Sequence, residues 1–488
     1  MNSLNKKAIN SMKWLVVVGI FSSASSFLTS VFLGRISNEL LGQYSLVISF
    51  LNLTTSIVCM GGSVVLSRYI IRENDVVRKT RIFMTYVYCT ILIWGGLVGA
   101  LYAFPELYVL FIGKTTGYVK VLGVFGVMPL FSVVSILAYF LNAVLEAKIS
   151  KLIGSLYTIG MCVMSGFFFF AAPDRLERYF IQIVFAVVIV MNILALIIGI
   201  SHIAKKGLMK IEKASFSPLI YSGMITIMLC TMGQSLLIYL NTNAAKVFLA
   251  QLNGVGQLGS YQAVLQIVAV VELIPHLLGN VTIPYFSSLI GEADIAPERV
   301  RHAYQTIENE VILFIASMVF GLIAISDFVL QIFGEGYINY KDALLIMLAG
   351  KIWSSRGNMN TPMLVNLDKN VIRFGNSVIQ VGLQLVLMFI LIPRIGIYGA
   401  VIATVGANVL AQWIPQRVIK KSKYQVGVSR QYIVASILVT VLITVVNLAQ
   451  LNAPCTFLLA VLLYVAFFYG AGYTIRGVIK MIELMLER

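Results

Sequence analysis

Residues 342–367 read DALLIMLAGKIWSSRGNMNTPMLVNL, and they place Lys351 and Arg356 inside a run apolar and long enough to cross a bilayer. A cation near the middle of a membrane helix costs about 2.5–3.5 kcal/mol on insertion scales, so it faces a water-filled cavity or a charged partner rather than lipid. At about 100° per residue, Lys351, Ser354, Ser355, Asn358 and Thr361 share one side of the helix, while Arg356 and Asn360 lie nearly opposite. A segment polar on two sides belongs in the interior, unless Gly350 or Gly357 bends it and brings the faces together. Two readings stay open: a cationic site for an anionic substrate, or internal ion pairs with acids elsewhere.

The rest of the chain is of the same kind. Of its 488 residues, 59% are hydrophobic and 11% are charged, which lies outside the range of a soluble globular domain. Apolar runs near 14–33, 43–66, 82–104, 121–141, 152–172, 179–201, 218–240, 260–283, 311–333, 343–365, 371–392, 397–416, 431–449 and 455–475 give about fourteen crossings of roughly 20 residues each. The chain is therefore expected to be an all-α polytopic membrane protein. Its connections are short, and the longest, from Gly291 to Glu310, is rich in charge. The first run follows Lys6, Lys7 and Lys13 and is too long for a signal-peptide core, so it is expected to remain as the first crossing.

The formal net charge of +16 is spread over these short connections and makes no continuous basic stripe of the kind a nucleic acid requires. It reports topology instead. With the N-terminus inside, 26 of the 36 Lys and Arg residues fall on one face and 8 on the other, with Lys351 and Arg356 between them. The positive-inside rule then puts both termini in the cytoplasm. The five cysteines lie in or at the ends of apolar runs without metal-ligand spacing and read as reduced packing residues; no metal site is expected.

A duplication is also legible. Leu41-Gly42-Gln43-Tyr44 recurs as Leu258-Gly259-Ser260-Tyr261, each opening a second crossing of its half. Gly113, Lys120, Lys148 and Gly154 recur 221 positions later as Gly334, Lys341, Lys369 and Gly375. The expected organisation is an N-terminal lobe over 1–210, a C-terminal lobe over 211–425, and an additional helix pair over 426–488. Six crossings per lobe is an even number, so the two pseudo-symmetric lobes share one orientation in the membrane.

Certain short stretches carry a resemblance. They are Phe32-Leu33-Gly34-Arg35 with Glu39-Leu40-Leu41-Gly42-Gln43-Tyr44-Ser45, Gly61-Gly62 with Ser67-Arg68-Tyr69, Ile332-Phe333-Gly334 with Tyr337, and Pro393-Arg394-Ile395-Gly396-Ile397-Tyr398-Gly399-Ala400. Together they resemble the polysaccharide transporters of the multidrug/oligosaccharidyl-lipid/polysaccharide exporter superfamily, nearest to the Wzx-type O-antigen flippases. That resemblance implies alternating access around a central cavity in a bacterial inner membrane. It also implies a cargo of undecaprenyl-diphosphate-linked oligosaccharide repeat units for O-antigen or another surface polysaccharide. A polysaccharide polymerase and a chain-length regulator are the partners it suggests.

A lipid diphosphate is well met by Lys or Arg in a low-dielectric cavity, which makes Lys351 and Arg356 the first candidates, with Ser355 and Asn358 beside them. Arg35 and Lys246, near the outer ends of crossings 1 and 7, are candidates for release or interfacial anchoring, and Arg68 for uptake or topology. Glu272 and His276 sit one turn apart beside Pro275. They either carry a coupling ion or, in the case of Glu272, neutralise Lys351 or Arg356. Coupling to protons, to sodium or to the membrane potential is left open, and no cofactor is expected. Gln380, Gln384, Asn408 and Gln412 line a sugar-accommodating cavity or join helices to each other. Two competing classes are a drug or cation exporter of the same superfamily, which needs acids in its cavity, and a membrane polymerase or glycosyltransferase. The latter needs an external carboxylate motif, and the short external connections lack one.

Overall fold

Hydrocarbon offers no water to satisfy backbone N–H and C=O groups, so runs this apolar fold as helices, whose bonds close within the segment. The computed structural model describes residues 2–71, 73, 75–112, 122–171, 173–210, 223–291 and 297–473, and it shows no strand among them. In parts of the first helix and of the helix over 255–291 it describes backbone without side chains, His276 included. Gly113 and Lys120 of the repeat lie outside the described residues. Among the described residues, twelve helices are long and apolar enough to cross a membrane.

Two units divide the chain, Met1–Gly259 and Ser260–Arg488. The first contains α1 (Asn2–Ile36), α2 (Asn38–Val58), α3 (Gly62–Ile70), α4 (Val76–Ala103), α5 (Pro105–Ile112), α6 (Met128–Ala143), α7 (Ala147–Ala171), α8 (Pro173–Lys206) and α9 (Met224–Asn253). It also holds the first residues of α10 (Val255–Gly291). The first and fifth crossings pack side by side, with Phe32 against Phe169 at 5.5 Å between ring centres.

The second crossing is one apolar stretch, Asn38–Ile70, interrupted between α2 and α3. Met60 and Gly61 take positive φ there, 36° and 64°, which releases carbonyls from the helical ladder. The hydroxyl of Tyr86 donates to the Cys59 carbonyl, and that of Thr231 donates to the Met60 carbonyl at 3.0 Å. Gly259, the last residue of this unit, packs against the first copy of the repeated motif: a Cβ on it would lie 1.9 Å from the Asn38 carbonyl oxygen and 3.2 Å from the Gly42 nitrogen.

The second unit contains the rest of α10, then α11 (Pro297–Ala324), α12 (Ser326–Gln331), a 3₁₀ turn over Glu335–Tyr340, α13 (Lys341–Trp353) and α14 (Gly357–Asn366). It continues with α15 (Asn370–Ile395), α16 (Ile397–Ala411), α17 (Trp413–Lys421), α18 (Arg430–Ala449) and α19 (Ala453–Gly470). Helix α13 runs between α11, α16 and α18. It buries Ala343, Leu344, Leu345, Met347, Leu348 and Ala349, residues that point to every side of the helix, as expected for an interior segment.

Two boundaries differ from the sequence expectation. The eighth expected crossing, 260–283, falls within α10, and the tenth corresponds to the α13–α14 pair, two helices of 13 and 10 residues. The expected tenth crossing, 343–365, is broken at Ser354–Arg356. The ninth begins at Pro297 instead of 311, because a proline opens the helix and Glu298 sits in its first turn.

Candidate functional site

The break in the quoted stretch is built locally. The Ser354 amide bonds the Gly350 carbonyl at 2.9 Å, and the Ser354 hydroxyl takes the same carbonyl at 2.6 Å. Tighter three-residue bonds then follow, Gly357 to Ser354 at 2.9 Å and Asn358 to Ser355 at 3.1 Å. The turn is too tight for an α-helix and re-aims the chain, and it turns Lys351 and Arg356 toward different partners.

Arg356 points into the unit. Its side chain is 3% exposed, and Nε donates to Glu308 at 2.6 Å, where the carboxylate is 1% exposed. Its Nη2 donates to the Gly427 carbonyl at 2.8 Å, and the guanidinium lies 5.7 Å from the Tyr432 ring centre. The Tyr432 hydroxyl donates to the Trp353 carbonyl at 2.7 Å, one of the groups the helix break sets free. One turn further, Asn360 repeats the arrangement. Its amide oxygen accepts from the Tyr304 hydroxyl at 3.0 Å and its Nδ2 donates to Gln412 at 3.1 Å. Tyr304 and Glu308, four apart on α11, thus meet Asn360 and Arg356, four apart across the break.

Lys351 has the more accessible position. It donates to Glu272 of α10, and the two side chains are 23% and 45% exposed. A pair with this much access keeps its cation available to an incoming anion, in contrast to the enclosed Arg356–Glu308 pair. Ser355 is buried and its hydroxyl has no partner among the described residues. Asn358 is half-buried. Lys341 pairs with Asp327 at 2.8 Å.

The structure places Lys351, Arg356, Ser355, Asn358 and Glu272 in the second unit, and Arg35, Arg68 and Lys246 in the first. Arg35 and Arg68 are exposed, on α1 and α3, and Lys246 is half-buried on α9. The His276 side chain lies outside the described residues. Of the amide pairs, Gln380 donates to Asn408 at 2.5 Å, so in this conformation they join α15 to α16.

Sequence reasoning did not single out Glu308, Tyr304, Gly427 or Tyr432. The first two fell in a segment read as a charged connection, although the Pro297 helix start was a usable signal. Nothing local marks Gly427 or Tyr432.

The profile of the polysaccharide biosynthesis protein family matches residues 9–290, more than half of the chain. The chain belongs to that family. Curated proteins offer no match. Among solved structures, this polysaccharide biosynthesis protein is similar to the lipid II flippase MurJ in its inward closed conformation. The TM-score is 0.67 at 15% identity, over 93% of this chain and 97% of that one. It is also similar to a multidrug resistance MATE family transporter of the MOP superfamily in an inward-facing conformation, with a TM-score of 0.59 at 15% identity over 87% and 95% of the chains. A MOP superfamily transporter from Pyrococcus furiosus, described as having a binding pocket of reverse polarity, gives 0.54 at 15% identity over 91% and 96%. At these identities the likeness establishes the fold. The family match ends before Lys351 and includes Glu272.

Proposed function

We propose that this protein is a flippase. It carries undecaprenyl-diphosphate-linked oligosaccharide repeat units from the cytoplasmic to the outer leaflet of a bacterial inner membrane, by alternating access, for O-antigen or another surface polysaccharide. The observation that carries this reading is the accessible Lys351–Glu272 pair in a membrane-embedded polysaccharide biosynthesis protein.

The diphosphate competes with Glu272 for Lys351, since an ammonium in a low-dielectric site favours the group with more charge and more acceptor oxygens. Glu272, released, becomes a site for a proton or a sodium ion, which links loading of the lipid to ion coupling. The buried Arg356–Glu308 pair holds the break in shape. The membrane potential, negative inside, favours outward movement of each negative charge by about 2.3 kcal/mol per 100 mV.

The experiment is substitution of Lys351 by Ala and by Arg, with surface polysaccharide and lipid-linked repeat unit measured together. Loss of surface polymer with accumulation of the lipid-linked unit in Lys351→Ala, and partial retention in Lys351→Arg, is the expected result. Normal export by Lys351→Ala overturns the site. A drug or cation exporter would show drug sensitivity in Glu272→Gln with polymer unaffected, and a polymerase would leave unpolymerised units on the outer face.

A further inference from the structure

The first unit holds a cavity that none of the preceding chemistry uses. It has a volume of about 310 Å³ and lies where α2 breaks into α3, between those helices, α6 and α9. Asn52, Thr55 and Ser56 reach it from α2, Ser63 from α3, and Ser235 and Thr242 from α9. Among the described residues no charged side chain lines it. Polar groups in the middle of membrane helices face water or a ligand rather than lipid, so the cavity is a polar compartment built into the unit.

Its hydrogen-bonding capacity is mixed. Thr55, Ser56 and Thr242 spend their hydroxyl protons on their own helix, on Leu51 at 2.9 Å, Asn52 at 2.8 Å and Ile238 at 3.0 Å, and so offer acceptor lone pairs, one of which on Thr242 is taken by the Asn243 amide at 2.8 Å. The side chains of Asn52, Ser63 and Ser235 have no hydrogen-bond partner among the described residues, which leaves donors on offer as well. Tyr239 also lines the cavity; it is 5% exposed, and its phenol hydroxyl has no partner among the described residues. A buried hydroxyl left in that state is unfavourable, and a ligand or water that pairs with it relieves the cost. The rings of Tyr139 and Tyr239 and the Ile238 side chain supply apolar surface between these groups.

Uncharged donors and acceptors interleaved with aromatic faces suit a ligand that has hydroxyls around its edge and C–H groups on its faces. The volume is at the lower end for small-molecule sites, with room for about ten waters, the size of a sugar ring or two.

We infer that this cavity binds a neutral sugar of the transported repeat unit. The inference rests on the flippase reading for the identity of the ligand, and on the cavity alone for its chemistry. Lys246 is not part of this lining; it lies four residues beyond Thr242, on the face of α9 that carries Ser235, Tyr239 and Thr242, so an anionic group attached to the bound sugar is expected to extend toward it.

The test uses the full chain in nanodiscs and three probes: undecaprenyl diphosphate, the same lipid carrying a neutral trisaccharide, and the free trisaccharide. The wild type is expected to bind the sugar-bearing lipid about tenfold more tightly than the bare lipid. Asn52→Leu with Thr242→Val closes that gap without changing the affinity for bare lipid, while Lys246→Ala weakens both lipids alike. A full gap in the double variant, or no gap in the wild type, overturns the proposal. Should the double variant fail to fold, Tyr239→Phe decides: a loss of about threefold for the sugar-bearing lipid alone supports the site, and no change overturns it. Binding of the free trisaccharide that the double variant loses, with neither lipid bound by the wild type, keeps the sugar site and removes the flippase reading. Binding of none of the three removes both.

Discussion

At the scale of single residues, the two cations of the tenth expected crossing have opposite roles because of what surrounds them. Arg356 and Glu308 are both nearly inaccessible, so removing either leaves an uncompensated charge in a medium of low dielectric. Glu308→Ala is expected to destabilise the protein by about 3–5 kcal/mol, and a joint replacement by Leu and Met by much less, because it leaves no charge behind. Thermal unfolding of the two variants in one detergent checks this, and equal losses would show that the pair is not the cause. Lys351 sits in a pair open to solvent, so Lys351→Ala is expected to cost under about 1 kcal/mol of stability while abolishing export of surface polymer. The sequence showed that these cations needed partners or a cavity. It did not separate them, because Glu308 lay in a stretch read as a connection.

At the scale of elements, two interrupted crossings organise the units, and glycine permits both interruptions. Gly61 has φ 64°, and a Cβ there would come 2.3 Å from the Thr231 Cβ. Gly357 has no such dihedral demand, but a Cβ would come 2.7 Å from the amide nitrogen of Gln412, whose side-chain oxygen accepts from Asn360. Gly61→Ala is expected to lose at least about 1–3 kcal/mol through strain and overlap together, and Gly357→Ala less, because the Gln412 amide can swing away. Melting temperatures of the two variants give the order, and a Gly357→Ala loss larger than that of Gly61→Ala would refute it. The Gly61-Gly62 motif was visible in the sequence, as was the option of a bend at Gly357. That the bend hands the Trp353 carbonyl to Tyr432 was not, since the two residues are 79 positions apart.

At the scale of the whole molecule, each unit is closed by contacts between segments distant in the chain. In the first, Glu146 in the turn between α6 and α7 meets Lys206 at 2.6 Å and His202 at 3.0 Å near the end of α8. Burial raises the affinity of this carboxyl for its proton, but the two basic partners together outweigh burial and hold it below the usual value near 4.5. A depressed value in the folded state means the contribution is complete above that value and is lost as pH falls through the lower one. Acidification between about pH 5 and pH 3 is therefore expected to lower the melting temperature, and Glu146→Gln to flatten that fall; an unchanged slope would remove the cluster from the account. In the second unit the expected additional helix pair is not peripheral, because Gly427 and Tyr432 complete the Arg356 environment and the Tyr473 hydroxyl donates to the Asn309 carbonyl at 2.6 Å. What the sequence determined by itself is the helical class and the interior position of the quoted segment, because apolar length and charge placement are local properties that a bilayer reads directly. Only the tertiary structure decided which acid meets which cation, where the helices break and where a neutral cavity opens, because each depends on side chains brought together from distant positions by packing.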